Sequence, residues 1–67
     1  MQNSTGIAIP LKYQPAIKLV YQDEDGYWVT LSKGYYADGM GCYDECHVIH
    51  EYTQASLLRQ IRKIKHI

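Results

Sequence analysis

Four side chains able to hold a metal ion or do redox chemistry fall within nine residues: Cys42, Cys46, His47 and His50. Thiolate and imidazole are both zinc ligands. Structural zinc sites set one ligand pair on a tight knuckle and a second pair farther along, and the run Cys-x3-Cys-His-x2-His does neither. On a strand, Cys46 and His50 share a face while His47 points the opposite way. A zinc site would therefore draw on Cys42, Cys46 and His50, and would need Asp44 or a second subunit to complete it. A Cys42–Cys46 disulfide is the second reading, if the two Cα atoms approach closely enough. Cytosolic thiols are normally kept reduced, and the first residues lack the basic stretch and apolar core of a secretory signal. We adopt two ordinary thiols, Cys46 partly buried and Cys42 in a loop, with no metal and no cofactor.

The other candidate chemistries are weaker. A Cys–His pair can act as nucleophile and base, but no third group orients it and a chain of 67 residues rarely builds a pocket. Asp23, Glu24 and Asp25 lack the twelve-residue ligand spacing of a calcium loop. Gly34, Gly39 and Gly41 are followed by neither Lys-Ser/Thr nor a helix, so they make no phosphate loop. The expectation is a protein that is not an enzyme.

The elements that would position these residues can be read from the spacing of apolar side chains. Ala16 to Gln22 and Tyr27 to Lys33 are rich in β-branched and aromatic residues and flank Glu24-Asp25-Gly26. A three-residue loop with Gly at the left-handed position would pair Asp23 with Tyr27, Tyr21 with Val29, Leu19 with Leu31 and Ile17 with Lys33. One face then carries Ile17, Leu19, Tyr21, Tyr27, Val29 and Leu31, and the other carries Val20 and Trp28. Three glycines between Gly34 and Gly41 read as a turn and a mobile loop. Cys46 to Tyr52 reads as a third strand. Ile7-Ala8-Ile9-Pro10-Leu11 is an edge strand or a segment wrapped over the sheet, since Pro10 cannot donate to a central ladder.

The last third reads as a helix capped by Thr53. Leu57, Leu58, Ile61 and Ile64 form its apolar stripe, and Arg59, Arg62, Lys63 and His66 its basic side. The fold expected is α+β: a three-stranded antiparallel sheet, with room for a fourth N-terminal edge strand, and one helix packed on one face. Residues 1–67 make a single small domain, with 1–6 set apart as flexible.

Charge is unevenly spread. Seven Asp+Glu and seven Lys+Arg give a formal net charge of zero, yet every acid lies between Asp23 and Glu51, where Lys33 is the one base. From Thr53 onward there are bases and no acid. Such a split either neutralises itself within the chain or presents two faces of opposite sign. With 46% hydrophobic and 21% charged residues the composition is globular, and no apolar run reaches a membrane span. A cytoplasmic protein is expected. Seven Tyr and one Trp against no Phe make a thin core with polar edges, the composition of interface centres.

The run Asp23-Glu24-Asp25-Gly26-Tyr27-Trp28-Val29, followed by a Gly-containing connection and Glu51-Tyr52-Thr53 leading into Leu57-Leu58, resembles the N-terminal domain of HicB-type antitoxins across residues 16–65. The resemblance implies a β-β-β-α unit that binds a partner toxin or another copy of itself and has no enzymatic activity. The connection between the second and third strands is longer here and carries Gly and Cys in place of a short Pro-Gly loop. Small proteins of this class are common in phages and other mobile elements, where many act as stoichiometric inhibitors.

One helix covers one face of a sheet. The function expected is therefore protein binding through the other face, by Val20 and Trp28 with Tyr35 and Tyr36, as an inhibitor, an antitoxin-like regulator or a homo-oligomer. The alternative is a nucleic-acid-associated regulator that uses Arg59, Arg62, Lys63 and His66.

Overall fold

The computed structural model describes residues 1–37, 42–43 and 47–67, with 42 and 43 described in their backbone. In chain order the elements are β1 (Gln2–Asn3), a 3-10 helix (Leu11–Ala16), β2 (Ile17–Asp23), β3 (Gly26–Leu31) and β4 (Tyr35–Ala37). They continue with β5 (Cys42–Tyr43), β6 (Val48–Glu51), α1 (Gln54–Ile61) and β7 (Ile64–His66). A five-stranded sheet has the order β1-β2-β3-β6-β5, and β4 with β7 forms a separate two-stranded ribbon. The α+β class is as expected. The sheet is larger than the expected three strands, and it is mixed because β1 runs parallel to β2.

The hairpin register departs from the expected one. Asp23 lies opposite Gly26, Tyr21 opposite Trp28 and Val20 opposite Val29, so the loop is the two-residue Glu24-Asp25. Asp23 Oδ1 accepts the Asp25 backbone N–H at 2.9 Å, a side-chain-closed turn. This register pairs odd positions with even ones, which an unbroken two-residue period would forbid to an apolar set containing both Ile17 and Val20. A bulge resolves the conflict. Ile17 faces Leu31 and Leu19 faces Thr30, leaving Lys18 as the extra residue. Ile17 is thereby returned to the side of Val20.

The inner face so formed carries Ile17, Val20, Val29, Leu31 and Ile49, all buried. Leu57 and Ile61 of α1 close over it with no exposed surface. Ile7 and Ile9 join the same core, so residues 7–11 form no strand and do not cover the second face; the N-terminal edge strand is the two-residue β1. Each such side chain contributes about 1.5–3 kcal/mol when fully buried. Residues 1–6 are held by β1 and by Asn3, whose Nδ2 donates to the Ile7 carbonyl at 2.8 Å and whose Oδ1 accepts the Thr5 N–H at 3.0 Å.

The Thr53 cap is present: its Oγ1 accepts the Ser56 N–H at 3.1 Å. Thr53→Ala is expected to cost about 1 kcal/mol, measured as a shift of the urea midpoint. The helix itself is shorter than its apolar period suggests. It ends at Ile61, Arg62 and Lys63 turn, and Ile64–His66 pair with Tyr35–Ala37. Ile67 N–H donates to the Gly34 carbonyl at 2.8 Å. The ribbon satisfies two strands of backbone groups that a longer helix would leave unpaired on β4. Gly34, at φ +94°, makes the entry to it. Tyr35 and Tyr36 thus belong to a strand, not to a mobile loop.

Candidate functional site: the outer sheet face

Alternation along the strands fixes the second face of the sheet. Leu19 and Tyr21 from β2, Trp28 and Thr30 from β3, and Val48 from β6 are each half-buried and lie outside the buried core. Tyr21, Trp28 and His50 stand directly opposite one another across three strands, and their rings form a row. Tyr21 and Trp28 are 6.2 Å apart between centroids at 9° between planes, and Trp28 and His50 are 4.1 Å apart at 29°. Tyr52 meets His50 edge-on at 4.8 Å. Offset and edge arrangements of this kind are the favourable ones for aromatic rings.

The row is tied to the hairpin tip. Trp28 Nε1–H donates to Asp23 Oδ1 at 3.0 Å, and His50 Nε2–H donates to the Asp25 carbonyl at 2.6 Å. His50 is 6% exposed although it sits on the outer face, because Trp28, Tyr52 and the tip enclose it. A carbonyl oxygen can only accept, so Nε2 carries a proton in this contact. These contacts hold the indole in one orientation, which lowers the entropy cost of using it in an interface.

The residues expected to form one binding patch are separated. Val20 is fully buried on the inner face, since the register and bulge reverse its expected side. It contributes no surface. Trp28 remains on the outer face. Tyr35 packs against the core and meets the His66 ring edge-on at 4.8 Å, so it and Tyr36 lie on the ribbon. Sequence reasoning missed Tyr21, His50 and Leu19 as members of the outer face, because the assumed parity placed Tyr21 and Leu19 inside. A bulge at Lys18 has no strong sequence signature.

The expected basic helix face is also redistributed. Arg59 is on α1, Arg62 and Lys63 are in the turn that follows, and His66 is on β7. All four are exposed, but they do not share a helical side. β2 begins beside the 3-10 helix, which β7 also touches, and the Ser32 N–H donates to the Ala16 carbonyl at 2.8 Å. Lys18 and Lys33 therefore flank this root of the hairpin, and Lys12 lies on the 3-10 helix that leads into it. Asp23, Glu24 and Asp25 are exposed at the opposite tip.

Cys46 and the Cys42 side chain lie outside the described residues, as do the zinc and disulfide readings that depend on them. Among the described residues no three His, Cys, Asp or Glu side chains converge as metal ligands. No pocket opens among the described residues, and no described helix is long and apolar enough to cross a membrane. Comparison of the chain with protein-family models, curated proteins and solved structures finds no match.

Proposed function

We propose that this chain is a non-enzymatic protein-interaction domain, a stoichiometric binder of the inhibitor or antitoxin-like kind, that makes contact through its outer sheet face. The observation that carries the reading is the fixed aromatic row Tyr21–Trp28–His50 on a face that neither α1 nor the N-terminal segment covers. Trp and Tyr held rigidly at the centre of a face are the residues on which binding energy concentrates. The HicB-type resemblance, which rests on the same hairpin, agrees with a partner-binding role.

Trp28→Ala is expected to weaken association by about 30-fold or more, the effect of losing one interface anchor, and to leave the far-ultraviolet circular dichroism unchanged. Affinity capture from the source cells, with light scattering on the purified chain, provides the measurement. A protein retained by the unaltered chain and lost by Trp28→Ala, but kept by Arg59→Ala, supports the reading. Association with nothing, or equal association by both variants, overturns it.

A second reading is phosphate contact by the exposed bases Arg59, Arg62, Lys63 and His66. It predicts binding of duplex DNA whose logarithmic affinity falls steeply with salt and is lost in Arg62→Glu with Lys63→Glu. Fluorescence anisotropy separates it from the first reading, because Trp28→Ala would leave that binding intact.

A further inference from the structure

The outer face lies between two ends of opposite charge, and this arrangement selects an occupant. We propose that the face is covered by a second copy of the same chain, packed face to face about a two-fold axis passing near Tyr21 and Trp28, with the two sheets antiparallel. The proposal rests on the interaction reading above and names its partner.

The direction follows from the charges. Asp23, Glu24 and Asp25 are exposed at the tip, and Lys18 and Lys33 are exposed at the root. Parallel stacking would set tip on tip and root on root, placing like charges together. Antiparallel stacking sets each tip against the partner copy's root. Two-fold symmetry makes that favourable pairing twice.

The dimensions agree. From Lys18 to Asp23 an extended strand spans roughly 16 Å at ~3.3 Å per residue. The charged groups therefore flank the centre formed by Leu19, Tyr21, Trp28 and Thr30 instead of being buried within it. An apolar, aromatic centre with a charged rim is the usual anatomy of a stable interface. Two sheets stacked with their strands roughly aligned form an ordinary sandwich. The formal net charge of zero imposes no overall repulsion between copies. A two-fold contact also closes on itself, whereas tip-to-root contact end to end would continue into a filament.

The test exchanges the charges. One variant reverses the tip, Glu24→Lys with Asp25→Lys; the other reverses the root, Lys18→Glu with Lys33→Glu. Both leave Asp23, which holds the indole, unchanged. Sedimentation velocity from about 10 µM to about 1 mM spans the affinity range of interest. The unaltered chain is expected to form a species of twice its 7.8 kDa mass, weakened by added salt. Each variant alone should associate at least ~10-fold less well, and an equimolar mixture should restore the dimer.

A monomer throughout, self-association undiminished in either variant, or mixtures that grow beyond dimers would each overturn the proposal. Should a variant fail to fold, dilution of the unaltered chain gives the same decision: amide shifts must change at Tyr21, Trp28 and Val48, and shifts confined elsewhere refute the face. A monomeric chain whose other protein partner is still lost with Trp28→Ala defeats this inference alone. A chain that associates with nothing defeats the interaction reading as well.

Discussion

Gly26→Ala is expected to cost about 3 kcal/mol, through backbone strain and a collision that the structure cannot relieve. Gly26 has φ +121°, where a side chain is rarely tolerated, and an added Cβ would sit 2.7 Å from the Glu51 carbonyl oxygen. That oxygen is main chain in the neighbouring strand and cannot swing away. The same Cβ would lie 3.3 Å from His50 Nε2, the atom that holds the Asp25 carbonyl. A domain of this size has roughly 3–10 kcal/mol of total stability, so the loss is a large share of it. Urea denaturation followed by tryptophan fluorescence measures the effect. Gly6→Ala provides the contrast: its φ is +77° but nothing lies within 4 Å of the added carbon, so strain alone acts. Equal midpoints for the two variants would show that close approach at the tip is unimportant.

Leu57→Ala is expected to lower stability by about 2–5 kcal/mol. Leu57 is fully buried, and with Ile61 it anchors a helix of eight residues. So short a helix does not persist in water unless it is docked. The cavity would open in the core that Leu57 shares with Val20, Val29 and Ile49. Leu58→Ala, at a partly buried position, should cost markedly less. Chemical denaturation of the two variants compares them directly. A Leu57 variant as stable as the Leu58 variant would mean that α1 is not secured by its inner face.

These two positions also mark what could be read from residue types. Thr53 followed by Leu57 and Ile61 is a local signal, a cap and an i, i+4 repeat, and the helix starts where it indicates. Its end is set elsewhere. Ile64 continues the helical period, yet it serves β7 because Tyr35–Ala37 offers it a strand partner across a long stretch of chain. The hairpin was legible as a hairpin, and its register was not. Ile17, Leu19 and Tyr21 suggest one face at a period of two, and a single bulged residue, Lys18, changes which of them point inward. The α+β class survives that change. The composition of the outer face does not, so Trp28 was correctly placed there, Val20 was not, and Tyr21 went unrecognised.

The ribbon has a consequence for the order of assembly. Between Ala37 and Ile64 lie β5, β6 and α1, so pairing β4 with β7 cinches a long loop. The entropic penalty of doing so is least once the enclosed segments are already in place. The Ile17–Leu31 hairpin, by contrast, needs only neighbouring residues to meet. Folding is thus expected to begin at the acidic turn and finish at the clasp made by Tyr35–Ala37 and Ile64–His66. The clasp should also be the first part to yield in native-state fluctuations. Amide protons of Tyr36 and Lys65 would then exchange with solvent sooner than those of Val20 and Val29.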